Sequence, residues 1–346
     1  LQYTTSKWGK TNVAPYIDSE LDLMKRTLPF DGSLNPYLTI SDLLEDTIIR
    51  VPHSLNVENY FDGNLKLEEK ELSYLLPLKP LLFEYFTPEE IRGNMMDGKP
   101  MFEMQTLAGN SGVKVTLRVP IKGAGNIRYV EYIRLYYNNR CADVQNNEGG
   151  MTEFKFTGFI MPQVRFNNEQ DAIYTVSCVQ SATGRNEFRF FSDGEKILPK
   201  SCTCRNEDQQ IMVKADNYLL EKRNFDFVQV RNTHGYCGIL LPIFKQQRNV
   251  ERFEFAIDLG TSNTHIEFRK GNEKPEVFTF TAKDRQLCEM FIPIKNEYGS
   301  IEDLIEETEL IEKDFIPSEI GLSDFHFPTR TVLSCAKTID WTNVVE

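Results

Sequence analysis

The sequence predicts an α+β protein with a β-rich module, sandwich or barrel-like, at its centre. Three observations carry that prediction. Aromatic residues make up 12% of the 346 residues, with 24 Phe and 14 Tyr, and aromatic side chains suit a pleated, half-buried surface. Between residue 100 and about residue 245 the apolar residues come in short β-branched and aromatic runs, several alternating by two, as in Val113, Val115, Leu117 and Val119. Clusters such as KGAGN, NNEGG, FNNEQD and SDGE separate these runs, as turns separate short antiparallel strands.

Hydrophobic content of 40% and charged content of 26% are those of an ordinary globular chain. At about 100–200 residues per domain, the length suggests two or three domains. Composition divides the chain into a mixed helical and irregular segment, residues 1–98, an antiparallel β-rich domain, residues 99–248, and a third region, residues 249–346.

In the first region DSELDLMKRTL places Leu21, Leu23, Met24 and Leu28 near helical spacing, with Asp18 or Ser19 as cap. SDLLEDTIIRV predicts a helix capped by Ser41. The stretch ELSYLLPLKPLLFEYFTPEEIRG carries prolines at 77, 80 and 88, which forbid one continuous helix. Two short helices, or an extended segment and one helix, both satisfy it. Thr87-Pro88-Glu89-Glu90 reads as a helix start, with a cap, a first-turn proline and acids against the dipole. So large an apolar stretch is expected to pack on the β-rich domain rather than stay exposed. The strands of the second region are VKVTLRVPI, RYVEYIRLYY, TEFKFTGFIMP, AIYTVSCVQ, EFRFFSDG and GILLPIF. In the third region a hairpin, a further strand in VFTFTA and a helix in SIEDLIEETELIEKDF follow one another. Ser300 and Asp303 form a capping box there, and Ile301, Leu304, Ile305 and Ile311 an apolar stripe. FPTRTVLSCAK reads as a strand.

The net charge of −12 opposes a nucleic-acid partner, because a polyanion needs a basic patch. Lys245, Arg248 and Arg252 are too few to make one. No apolar run reaches the ~18 residues of a membrane span. Seven cysteines without framework spacing point to reduced thiols and a cytoplasmic setting. The chain opens on Leu1, as expected of a processed chain or a piece of a longer one.

Most chemistry is legible in FEFAIDLGTSNTHIEF, Phe253 to Phe268. Along the strand Phe253, Phe255 and Ile257 share one face, and Glu254, Ala256 and Asp258 the other. Gly260 lacks a Cβ, so backbone amides there can approach an anion and form a nest. Thr261, Ser262 and Asn263 add side-chain donors. Asp258 can hold Mg²⁺ directly or through water, since Mg²⁺ prefers oxygen ligands. The same residues also make an ordinary hairpin turn.

The segment DLGTSNTHI resembles the first phosphate motif of the actin, DnaK-type chaperone and sugar kinase superfamily. That motif lies on the first hairpin of a ribonuclease-H-like fold. The resemblance covers about residues 251–335, and Phe327-Pro328-Thr329-Arg330-Thr331-Val332 is similar to a strand that follows in some members. It implies a fold in which the β-rich module is followed by the opening part of an actin-type lobe. It implies ATP and Mg²⁺ as cofactors in the complete protein, Asp258 as the catalytic, magnesium-proximal acid, and Gly260, Thr261, Ser262 and Asn263 around the β- and γ-phosphates. The sequence departs from the family in the long segment before the motif, and in lacking a second glycine-flanked aspartate motif and a paired-glycine adenosine motif. The resemblance therefore implies the N-terminal part of an ATPase, catalytically incomplete alone, whose β-rich module recognises a protein partner. The alternative is a non-enzymatic β-rich binding or structural protein in which the hairpin is only a turn.

Other patterns carry less. Cys202-Thr203-Cys204 and His234-Gly235-Tyr236-Cys237 hold four zinc-type ligands at spacings unlike a zinc finger. His265 is expected to bond across the strands. No G-x-S-x-G, H-E-x-x-H or Walker sequence is present.

Overall fold

The computed structural model describes residues 7–16, 27–30, 33–51, 57–66, 73–121, 128–138, 142–143, 146–153, 158–162, 164–181, 186–204, 213–247, 252–259, 264–278, 285–286, 288–290 and 325–326. These residues are β-rich. The α-helices among them are the short segments Lys7–Lys10, Ile40–Leu43, Leu81–Tyr85 and Pro88–Arg92. None is long and apolar enough to cross a membrane.

A six-stranded sheet runs in the order Ser73–Tyr74, Thr47–Val51, Glu148–Glu153, Tyr129–Tyr137, Gly112–Pro120, Phe102–Thr106. Its last three strands are antiparallel, while Glu148–Glu153 pairs parallel with both neighbours. The sheet is therefore mixed where an antiparallel one was expected. Strands from before residue 98 and after it share one core. Alternation sets which side chains turn inward. Phe102, Met104, Val113, Val115, Leu117, Tyr132 and Tyr136 are buried in that core, and Arg134 is also buried. Tyr132, Arg134 and Tyr136 give the inner face donors, which serve carbonyls of the chain laid across it. The Tyr132 hydroxyl lies 2.8 Å from the Tyr16 carbonyl and 3.0 Å from that of Leu38. Arg134 donates to the Leu44 and Glu45 carbonyls at 3.2 and 2.9 Å, and Tyr136 donates to Glu45 at 2.6 Å. Such bonds let irregular chain cover a sheet without burying unpaired carbonyls.

Two further sheets form a sandwich. The central one runs Glu195–Ile197, Glu187–Ser192, Phe227–Arg231, Cys237–Leu240, and the outer one runs Ser201–Cys204, Val213–Glu221, Ile173–Ser181, Gly158–Pro162, Cys288–Met290. Phe188, Phe190, Val228, Val230 and Leu240 share a core with Tyr174, Val176, Tyr218 and Leu220 of the outer sheet. From its opposite face the central sheet sends Phe191, Phe227 and Ile239 into the first core. There Phe227 stacks on Phe83 at 3.9 Å and on Phe191 at 4.8 Å between ring centroids. The central sheet is thus buried on both sides. Its edge joins the six-stranded sheet through Leu76, which exchanges backbone bonds of 3.0 and 2.8 Å with Ile239. A Cβ at Gly238 would sit 2.6 Å from that of Leu75, so glycine permits this close approach.

The proline-rich stretch forms the extended and helical pieces Ser73–Tyr74, Leu81–Tyr85 and Pro88–Arg92. Leu75, Leu76, Leu78, Leu82 and Phe86 are buried, so the segment packs on the β-rich body as expected. The Thr87 cap also forms: its Oγ accepts from the Glu90 N–H at 3.2 Å, and the Glu90 carboxylate accepts from the Thr87 N–H at 2.9 Å. Of the helix expected over DSELDLMKRTL only Thr27 and Leu28 lie among the described residues, and they belong to a strand, Thr27–Phe30, paired with Ser33–Leu38, register Phe30↔Ser33. Pro29 disfavours helix there, and the Asp31-Gly32 pair between the partners is a strong hairpin signal. The helix at Ile40–Leu43 starts after Thr39 rather than Ser41, and TIIRV is a strand. The Asp42 carboxylate accepts from the Thr39 N–H at 2.7 Å, which fixes the earlier start. Residues 17–26, the acidic helix expected at 300–315 and the strand expected at 327–337 lie outside the described residues.

Candidate functional site

The hairpin forms where the motif predicts it. Phe253–Leu259 pairs antiparallel with Thr264–Lys270, from Phe253↔Lys270 to Asp258↔His265 and Leu259↔Thr264. A third strand is described at Glu276–Val277, and the Phe278 N–H extends it by donating to the Ile266 carbonyl at 2.8 Å. The rest of VFTFTA, residues 279–282, lies outside the described residues. Gly260, Thr261, Ser262 and Asn263 lie outside the described residues. The register brings the two strand ends that flank them opposite each other.

The two faces differ sharply in chemistry. The polar face carries Glu254, Ala256 and Asp258 opposite Arg269, Glu267 and His265. Arg269 Nε donates to Glu254 at 2.9 Å. His265 Nε2 lies 3.1 Å from Glu267 on its own strand. That departs from the expected cross-strand bond, because residues i and i+2 share a face. Asp258 is exposed at the end of its strand, and no hydrogen bond or ion pair from another described residue engages it. The apolar face carries Phe253, Phe255 and Ile257 at 45%, 56% and 58% exposure. Half-buried Phe268 and Phe278 make ring contacts with Phe255 at 6.2 Å each.

An exposed carboxylate with no cationic partner among the described residues has the chemistry of an oxygen ligand, the kind Mg²⁺ takes one or two of while it keeps several waters. Among the described residues no group of three or more His, Cys, Asp or Glu side chains is arranged to hold a metal ion. The strands that carry Cys202, Cys204 and Cys237 belong to two different sheets. Cys202 and Cys204 lie on the edge strand of the outer sheet, and Cys237 opens the edge strand of the central sheet. Burial pushes the Cys237 thiol pKa above its ordinary value, which disfavours the thiolate that binds metal.

A second polar cluster has no signal in sequence spacing, because its members come from well-separated segments. Arg165, Asp193, Asp226, Lys7 and Glu89 surround a cavity of about 290 Å³ beside the central sheet. Comparison with family models, with curated proteins and with solved structures returned no match.

Proposed function

We propose that this chain is the N-terminal part of an actin-like or chaperone-like ATPase that acts in the cytoplasm. The observation that carries the reading is the hairpin, with Asp258 exposed near its strand end and engaged by no other described residue, beside the Gly260–Asn263 segment. In the complete protein Asp258 would hold Mg²⁺ through an oxygen or a water. Gly260, Thr261, Ser262 and Asn263 would donate to the β- and γ-phosphates of ATP. Bound Mg²⁺ would neutralise charge on the transferring phosphoryl group. The exposed apolar face of the hairpin supports the same reading, because a sheet of a nucleotide lobe is covered by further chain. The β-rich body would recognise a protein partner, and lobe closure around nucleotide would alter its grip.

The test is Asp258→Ala in the complete protein. The expected result is loss of magnesium-dependent ATP turnover, by on the order of 10²-fold or more, with an unchanged circular dichroism spectrum and unfolding midpoint. Unchanged turnover would return the hairpin to an ordinary turn and leave the β-rich body as the working part.

A further inference from the structure

The cavity lies where the Lys7–Lys10 helix, the Leu81–Tyr85 and Pro88–Arg92 helices, the Val164–Phe166 strand and the edge of the central sheet meet. Its floor is fixed. Arg165 Nη1 donates to Asp226 Oδ1 at 2.6 Å, and Asp226 Oδ2 accepts from the Asp193 N–H at 2.6 Å. Asp226 is buried at 7% exposure, with both oxygens committed. Arg165 spends one nitrogen on that bond. No other described residue bonds its remaining N–H groups, and its side chain is 27% exposed. The rim is loose. Lys7 and Asp193 pair at 3.2 Å with side chains 45% and 75% exposed, an arrangement of little strength that a ligand can open. Glu89 is 71% exposed, pairs with Arg92 at 3.0 Å and also feels the charge of Arg165. Phe83, clamped by Phe227, gives the cavity a rigid apolar wall.

We propose that this cavity binds a small zwitterion, such as a free amino acid or another compound with one carboxylate and one ammonium. The open edge of the Arg165 guanidinium and the Lys7 ammonium would take the carboxylate, since charge-assisted bonds to a planar guanidinium are directional and strong. Glu89 and Asp193 would take the ammonium. Two cations against three carboxylates leave the site net negative, which disfavours a phosphate-type dianion, and the open edge of Arg165 gives a carboxylate a partner that a simple cation lacks. The volume of about 290 Å³ sits at the small end of ligand pockets, which suits a molecule the size of an amino acid. This site is independent of the hairpin, and neither reading requires the other.

The experiment is ligand-observed NMR and calorimetry on the 346-residue chain. The probes are the common amino acids and 4-aminobutanoate, with butanoate and butylamine as single-charge controls. The expected result is saturable binding of at least one zwitterion, with both controls about tenfold weaker or more. Lys7→Met and Glu89→Gln, both on the exposed rim, are expected to weaken that binding at least threefold each, while leaving the unfolding midpoint unchanged. The proposal is overturned if no zwitterion binds up to about 50 mM, if a single-charge control binds as well, or if neither rim change affects affinity.

Discussion

Phe188 and Phe190 on the central sheet are 4% and 0% exposed, whereas Phe253 and Phe255, at the same spacing on the hairpin, are 45% and 56% exposed. Both pairs obey the period-2 rule, and both put their rings on one face of an antiparallel ladder. The central sheet finds a partner layer on each side. The hairpin finds none among the described residues. Alternation therefore tells which side chains share a face, and burial depends on what else the chain brings to that face. A row of aromatic rings open to solvent marks a surface that other chain must cover.

The sharpest test of the contrast is Phe227→Ala. Its ring is stacked between Phe83 and Phe191 at the junction of two layers, and its removal is expected to cost about 3–5 kcal/mol in chemical denaturation. Next comes the matched pair Phe190→Ala and Phe255→Ala. The first is expected to cost about 3 kcal/mol or more and the second under about 1 kcal/mol in the 346-residue chain. Equal losses would mean that the hairpin face is covered within this chain.

A smaller effect comes from Glu45. Burial pushes its carboxyl pKa up from 4.5 to about 7, against the pull of Lys79 and Arg134 and with the help of Asp46. The folded state thus holds the proton more tightly than the unfolded state does. The stability this confers is fully present below about pH 4.5 and is lost as pH rises through about 7. Glu45→Gln is expected to remove that slope and to gain on the order of 1–2 kcal/mol over the parent above pH 7, read from unfolding midpoints between pH 4.5 and 8. Thr87→Ala, which removes one cap bond, should cost only about 1 kcal/mol.

Local signals were legible in the sequence where a few neighbouring residues decide the structure. Thr87 and Glu90 cap each other as their spacing implies, and DLGTSN separates two paired strands. The Asp31-Gly32 pair between Thr27–Phe30 and Ser33–Leu38 carried a strong local hairpin signal too, which outweighed the helical spacing at Leu28. Ser41 and Thr39 are both good cap residues, and only the Asp42 carboxylate distinguishes them. Long-range features had no such signal. The parallel pairing of Glu148–Glu153 depends on a strand about a hundred residues earlier. Arg134 falls on the inward register between Tyr132 and Tyr136, and it is tolerated because the Leu44 and Glu45 carbonyls accept its hydrogen bonds. The cavity around Arg165 and Asp226 likewise gathers residues that no window of sequence contains.

The central claim is that the hairpin grips phosphate. The most direct measurement is amide hydrogen exchange across residues 253–270 of the complete protein, with Mg²⁺ alone and with Mg²⁺ and ATP. If the hairpin grips phosphate, exchange at Gly260, Thr261, Ser262 and Asn263 slows about tenfold or more only when ATP is present, and Asp258→Ala abolishes the slowing. Exchange at those four amides that is the same with and without ATP would contradict it.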